Sequence, residues 1–379
     1  MGAATTNPSG DLATTGPPVE RVDARAYTVP TDRPESDGTL GWDATTLVLA
    51  EVRAGGERGI GWTYGAAATA GLVSETLAGV VRGRSALDVQ GAWAVMVCAL
   101  RNNGRPGLSS MALSAVDVAM WDLKARVLGL PLATLLGGFH EGVPVYGSGG
   151  FTSYSDAELA DQLAGWAGQG IPRVKMKVGR EPDRDPKRVR VAREAVGPDV
   201  QLFVDANGAY TRKQALRLAG DFAELDVRWL EEPVSSDDLE GLRLIRDRAP
   251  ATMDIAAGEY GYDLPYFERM LATGAVDVLQ ADVTRCGGIT ELLRVDALCR
   301  ARSMPLSLHC SPTIHASAGP ALETLVHMEY FHDHVRIENM LFDGVPQPQA
   351  GVLHPPPGRH GMGVELRPSD AERYAVGPG

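Results

Sequence analysis

The sequence predicts an α/β protein: a TIM-type (β/α) barrel preceded by a smaller α+β domain. Three observations lead there. Short apolar runs alternate with amphipathic helical stretches from Gly137-Gly138 to about Tyr330, repeating at roughly 20 to 30 residues. Eight such runs are separated by seven helical stretches, more strands than a doubly wound sheet usually needs. Several runs also stop abruptly in charged residues, and the carboxyl ends of strands are where a parallel barrel carries its chemistry.

The barrel strands fall at Val143 to Tyr146, Val174 to Val178, Leu202 to Val204, Trp229 to Leu230, Ile255 to Ala257, Val278 to Gln280, Leu306 to Leu308 and Val326 to Met328. Between them, Leu159, Leu163 and Trp166 share one helical face, as do Leu239, Leu242 and Ile245. A barrel needs about 250 residues. A chain of 379 therefore has room for a second domain.

That domain precedes the barrel. Residues 1–22, rich in Thr, Gly, Pro and Ser, read as a disordered tail. Strands follow at Ala26 to Val29 and Thr45 to Arg53, then a turn at Gly55-Gly56 and a strand at Gly59 to Tyr64. A polar loop, Pro30 to Trp42, joins the first two. The clearest helix runs from Ser114 to Leu128, with Val116, Met120, Leu123 and Val127 on one face and Gly129 and Pro131 ending it. The boundaries are thus 23–138 for the α+β capping domain, 139–345 for the barrel, and 346–379 for a Pro- and Gly-rich segment expected to pack back onto the cap.

A net charge of −12 with no basic stripe argues against a nucleic-acid partner. No apolar run approaches a membrane span and no secretory leader is visible, so a cytoplasmic location without membrane association is expected. Cys98, Cys286, Cys299 and Cys310 lack paired spacing and read as buried free thiols. No dinucleotide fingerprint, P-loop, nucleophile elbow or His-Glu-x-x-His motif occurs; the glycines around Gly59 and Gly61 lack a third in register.

Residues at or just past the strand ends carry the chemistry. The second strand offers Lys175 and Lys177, the third Asp205 and Asn207, the fourth Glu231 and Glu232, the fifth Glu259, the sixth Asp282, the seventh His309 and the eighth Glu329. Asp205, Glu231 and Glu259 come from three successive strands, so they can hold one hard divalent cation through oxygen, which suits Mg²⁺ better than Zn²⁺. Alone, each reads as well as a capping residue; three in corresponding places favour a metal site. Lys175 and Lys177 point to one face of their strand. A Lys-x-Lys strand is ordinarily an exposed edge, but Val174, Met176 and Val178 fit a buried one. A lysine beside another cation there is expected to have a depressed pKa and act as a base. His309 and Asp282 stand on adjacent strands as an acid/base dyad, and Glu329, if protonated, donates to developing negative charge.

This ordered set, with the segment Ser114-Ala115-Val116-Asp117-Val118-Ala119-Met120-Trp121-Asp122, resembles the mandelate racemase subgroup of the enolase superfamily from about Arg25 onward. The resemblance implies an α+β cap over a modified (β/α)7β barrel. It implies Asp205, Glu231 and Glu259 as Mg²⁺ ligands, Glu231 favoured over Glu232; Lys177 as the base on one face; and His309 with Asp282 on the other. Lys175 would contact the substrate carboxylate and lower the pKa of Lys177, and Glu329 would stabilise an enediolate. The loops Pro30 to Trp42 and Gly61 to Gly65 would cover the substrate, making Arg33, Trp42, Tyr64 and Asn207 candidate binding residues. Thr31, Asp32, Arg33, Glu35, Ser36 and Asp37 make that cover polar, suiting a polyhydroxylated acid. The expectation is an acid-sugar dehydratase, with a racemase or epimerase as the alternative. Cycloisomerisation is less expected, because Asp282 stands where the lactonising branch has a lysine, and Arg285 nearby is a poor base. A non-catalytic carboxylate-binding barrel would need neither Lys177 nor the dyad. A homo-oligomer is expected from the family's habit.

Overall fold

The computed structural model describes residues 15–377. Eight parallel strands, β4 (Val143–Gly149), β5 (Arg173–Lys177), β6 (Gln201–Asp205), β7 (Val227–Glu231), β8 (Asp254–Ala257), β9 (Val278–Ala281), β10 (Leu306–Leu308) and β11 (Leu325–Phe331), form a barrel that closes where β11 pairs with β4. Seven helices alternate with them, from Asp156–Gly168 to Pro312–Ala318. Several begin at side-chain caps: Ser155 and Thr211 form capping boxes with Glu158 and Gln214, and Asp238 and Asp263 cap the helices after β7 and β8.

The period of two along each strand builds the interior in layers. Tyr146, Phe203, Trp229, Ala256 and Val278 form an apolar floor, in which the Phe203 and Trp229 rings stack at 5.3 Å. Two residues further along the same strands stand Ser148, Asp205 and Glu231, one layer higher. Charged side chains therefore rest on aromatic rings; the Lys175 ammonium lies 5.4 Å from the Tyr146 centroid.

The cap is an antiparallel sheet of β1 (Arg21–Ser36), β2 (Gly41–Ala54) and β3 (Glu57–Tyr64). Ordered structure starts earlier than the sequence reading put it, since Val19 is buried and β1 begins at Arg21; residues 1–14 of the expected tail lie outside the described residues. The expected loop Pro30 to Trp42 is mostly strand. The ladder breaks after Pro30↔Ala44 and resumes at Glu35↔Trp42 and Ser36↔Gly41, leaving Asp37 to Leu40 as the turn. Polar composition concealed this, because backbone pairing across a bulge needs no apolar side chains.

The helix Leu108–Val127 is buried nearly all round, its polar Ser110, Ser114, Asp117 and Asp122 included, because it lies between the cap sheet and the barrel. Asp117 accepts from the Thr290 backbone N–H and hydroxyl on the barrel side, and Asp122 accepts from Ile60 N in the cap and Met362 N in the C-terminal segment. Gly59 and Gly61 let β3 sit directly on this helix: a Cβ at Gly59 would lie 2.2 Å from the Ala119 carbonyl oxygen, and one at Gly61 2.4 Å from that of Ala115.

After β11 come the helix His332–Leu341 and four short strands, β12 (Phe342–Asp343), β13 (Val352–Leu353), β14 (Glu365–Leu366) and β15 (Ala375–Val376). β13 pairs with β4 of the barrel and β15 with β1 of the cap, so this segment touches both domains. All four cysteines are free; Cys98 is exposed, contrary to the expectation, and the other three are buried. Among the described residues no helix is long and apolar enough to cross a membrane.

Gly59→Ala should destabilise the fold by about 1–3 kcal/mol, the usual cost of overpacking, read as a lowered midpoint in thermal or denaturant unfolding.

Candidate active site

Each sequence-predicted charge at the strand ends arrives at one mouth. Lys175, Asp205, Glu231 and Glu329 are wholly buried, and Lys177, Glu259, Asp282 and His309 nearly so. Lys175 Nζ lies 2.6 Å from Glu231 Oε1, 2.8 Å from Glu329 Oε1 and 3.3 Å from Asp205 Oδ2, and Lys177 Nζ donates to Asp205 Oδ2 at 2.5 Å.

Carboxylate oxygens of Asp205, Glu231 and Glu259 lie within 4.8 Å of one another, all buried. Glu259 Oε2 has no hydrogen-bond partner, and the Asn207 amide oxygen, two residues past Asp205, is also buried without one. An all-oxygen set with an orphaned acceptor fits a hard divalent cation. Glu232 stands outside the group: its backbone is left-handed at φ 38° and its carboxyl is pushed far up by burial and by the Glu259 and Asp205 carboxylates.

On the opposite side His309 Nδ1 meets Asp282 Oδ2 at 2.8 Å, while Asp282 Oδ1 accepts from the Thr284 N–H and hydroxyl, both at 2.7 Å. Burial raises the Asp282 carboxyl, but the His309 bond and the charges of His309 and Arg285 outweigh it and hold Asp282 well below the usual carboxylate range. Burial lowers the His309 imidazole, but Glu259, Glu329 and Asp282 together raise it above the ordinary histidine value. Its free edge, Nε2, faces Glu259 and Glu329, each at 3.4 Å.

Two groups have partners that oppose the expected shifts. Burial pulls Lys177 down, yet the adjacent Asp205 outweighs both burial and Lys175 and raises it above the ordinary lysine value. Burial raises Glu329, but Lys175, with His309 and Lys177, pulls it well below the usual carboxylate range, and it accepts from the Ser148 hydroxyl at 2.5 Å.

The cap residues divide. Gly38, at the hairpin tip, lies where a Cβ would be 2.5 Å from the Ala206 and 2.7 Å from the Val178 carbonyl oxygens, the residues following Asp205 and Lys177, so the hairpin is seated on the mouth. Trp42 packs perpendicular to Phe151, just past β4, at 5.6 Å between ring centroids, and donates from Nε1 to Glu35. Arg33 turns away, to Glu158 at 2.9 Å and over the Tyr154 ring. Tyr64 stacks on His334 at 3.4 Å and gives its hydroxyl to Glu338. Gly61 is taken up by packing on the helix rather than by the mouth.

Sequence reasoning missed four residues. Trp229 donates to Glu231 Oε2 at 2.9 Å, and its position two residues before Glu231 could have shown it. Ser148 sits at the end of β4, a strand for which no terminal residue had been read. Cys310 Sγ lies 3.3 Å from His309 Nε2 and 3.2 Å from Glu329 Oε2, and Arg285 reaches Glu259 at 3.2 Å; only three-dimensional proximity gives these.

Residues 23–137 match the mandelate racemase/muconate lactonizing enzyme N-terminal domain, and residues 158–371 match the enolase C-terminal domain-like model. The chain belongs to the mandelate racemase/muconate lactonizing enzyme family. Within it, the 3,6-anhydro-alpha-L-galactonate cycloisomerase of Streptomyces coelicolor is 34% identical over 95% of this chain and all of its own length. The L-rhamnonate dehydratase of Saccharopolyspora erythraea is 34% identical over 85% of this chain and 83% of its own. A mandelate racemase/muconate lactonizing enzyme-like protein from Rubrobacter xylanophilus superposes with TM-score 0.93 at 60% identity, over 95% of this chain and 100% of that one. The L-talarate/galactarate dehydratase of Salmonella typhimurium LT2, liganded with Mg and L-lyxarohydroxamate, gives TM-score 0.88 at 27% identity, over 99% and 97%. The chain is accordingly an enzyme of this superfamily, and solved relatives of it hold magnesium.

Gly38→Val should lift the hairpin from the mouth and lower kcat/KM by about tenfold or more, misplacement of a covering element being costly to catalysis, with the unfolding midpoint nearly unchanged; steady-state kinetics beside a melt checks both.

Proposed function

We propose that the chain dehydrates an acid sugar to a 2-keto-3-deoxy acid. The observation that carries this is the pairing of two proton-handling groups on opposite sides of one buried mouth, Lys177 beside Asp205 and His309 held by Asp282, under a polar cap. Names among the relatives point the same way: L-rhamnonate, arabinonate and D-gluconate dehydratases.

Asp205, Glu231 and Glu259 are the residues that would hold Mg²⁺. When bound, the ion supplies Lewis-acid stabilisation of the charge that develops on the substrate carboxylate. Lys175, wholly buried, is placed to donate to that carboxylate. Asp205 cannot serve fully as both cation ligand and partner of Lys177; once its oxygens are engaged, burial and the Lys175 ammonium both act to lower Lys177 toward a usable base. Lys177 then takes the proton from C2. His309, oriented by Asp282 and poised to be protonated, gives a proton to the hydroxyl leaving C3. One water is lost, and the resulting enol tautomerises to the 2-keto acid. Returning a proton to C2 from the opposite side would make the same groups a racemase or epimerase. A second reading, cycloisomerisation, has the 3,6-anhydro-alpha-L-galactonate cycloisomerase of Streptomyces coelicolor and the D-galactarolactone cycloisomerase of Agrobacterium fabrum in its favour. A homo-oligomer remains part of the proposal, to be read by light scattering.

Purified protein with Mg²⁺ should convert at least one member of an acid-sugar panel to a 2-keto acid. Exchange of the α-proton with D2O without water loss would instead indicate racemisation, and turnover confined to sugar lactones or anhydro sugar acids cycloisomerisation. Exhaustive chelation should abolish turnover and Mg²⁺ restore it. Lys177→Ala and His309→Asn should each reduce kcat by about 10²-fold or more, the ordinary share of general acid–base catalysis, with circular dichroism unchanged; full activity in either variant sinks the assignment.

A further inference from the structure

The roof over the β4 and β11 side of the mouth is built from the cap hairpin and the residues after β11. Asp32 and Glu35 come from the hairpin, and His332 and Asp333 follow Phe331 at the end of β11. The ligand atoms of Asp32, Glu35 and His332 lie within 4.8 Å of one another, and His332 Nε2 is 3.2 Å from Asp32 Oδ2. Phe151 holds the group against the barrel, its ring edge-on to Trp42, Phe331 and His332.

Glu35 is 1% exposed. Its Oε2 accepts from Trp42 at 2.8 Å, while Oε1 is buried with no partner. Asp333, wholly buried, likewise has Oδ1 bonded to Arg336 and Oδ2 without a partner. Burial first, and the Asp333 carboxylate second, push Glu35 up to about 8. The roof therefore has a surplus of acceptors. The Arg336 guanidinium is bound to Asp333 and the Pro30 carbonyl, with its Nε buried and without a partner, while Arg33 goes to Glu158 and Arg285, across the mouth, to Glu259 and Asp282.

We infer that the far end of the substrate is hydroxylated and uncharged: the site takes an aldonate, a sugar acid with one carboxylate, in preference to an aldarate with two. The inference deepens the proposed function and rests on it. One carboxylate is drawn to Lys175 on the floor. A second, delivered to the roof, would meet the Asp32 and Asp333 carboxylates with only the Arg336 guanidinium, already paired to Asp333, beside them among the described residues, and a buried charge without a partner of its own is strongly disfavoured. A hydroxyl, donor and acceptor at once, supplies the bond the orphaned Glu35 oxygen lacks whether that carboxyl is charged or neutral. Discrimination through a buried polar group left unpaired by the wrong ligand is the strongest kind a small site has.

The experiment compares configurationally matched pairs, gluconate with glucarate, galactonate with galactarate and mannonate with mannarate, with the Mg²⁺-loaded enzyme, following both α-proton exchange in D2O and 2-keto acid release. In the pair that reacts best, the aldonate should exceed its diacid in kcat/KM by about 100-fold, roughly 2.7 kcal/mol. An aldarate that exchanges or reacts as well as its aldonate overturns the inference and leaves the dehydratase reading standing. No exchange with any acid sugar overturns the reading and the inference with it. Glu35→Gln should raise KM for the aldonate about tenfold with kcat within a few-fold and narrow its lead over the diacid. Should that variant fold poorly, Asp32→Asn, at an exposed position, should narrow the lead in the same direction; an unchanged preference in a folded variant counts against the roof.

Discussion

The structure depends on charge balance inside the barrel. Asp205, Glu231, Glu259, Asp282 and Glu329 are buried together with Lys175, Lys177, His309 and Arg285, and each anion has at least one of these cations within 4 Å. Such a set is costly to desolvate, and removing one partner from a buried pair typically costs roughly 3–5 kcal/mol because the other is stranded. The charges therefore have to be held by parts that do not move. The aromatic floor of Tyr146, Phe203 and Trp229 sets their height, and the closed ladder of β4 to β11 sets their spacing. Stability is spent where the chemistry needs rigid geometry, a common relation between functional sites and their scaffolds.

Much of this was legible in the sequence. The eight strands, the seven helices and the residues Lys175, Lys177, Asp205, Glu231, Glu259, Asp282, His309 and Glu329 all follow from apolar runs that end in charge. Protonation was not legible in the same way. A Lys-x-Lys pattern shows that two ammoniums share a face; it does not show that Asp205 lies 2.5 Å from one of them, a contact that opposes the expected shift. Nor does the end of β11 show that Glu329 meets Lys175, which reaches it from β5, two strands round the barrel. The cap was read least well. Its polar hairpin carries no apolar alternation, so a laddered strand looked like a loop, and Arg33 and Tyr64 seemed free to meet substrate although each has a partner far away in sequence.

The two domains divide the work. Proton transfer is confined to barrel strands, where each side chain is held by neighbours on adjacent strands. In the proposed reading recognition falls to the hairpin and to His332 and Asp333, which come from a different sheet and from the segment after the last barrel strand. The helix Leu108–Val127 joins these halves through Asp117 and Asp122, so the cap sheet is fixed to the barrel even though its tip contributes to the site.

The broken ladder in that hairpin has a mechanical consequence. From Arg21 to Pro30 every residue of β1 is paired in register with β2, and β3 is pressed onto a helix through glycines; pairing then lapses until Glu35. Beyond the lapse the tip is held by the barrel instead of by its own ladder: the Thr152 N–H donates to the Ser36 carbonyl, the Thr152 hydroxyl to the Asp37 carbonyl and the Ser153 hydroxyl to the Pro34 carbonyl. The hairpin is thus two mechanical parts, a base carried by the cap sheet and a tip carried by the loop after β4.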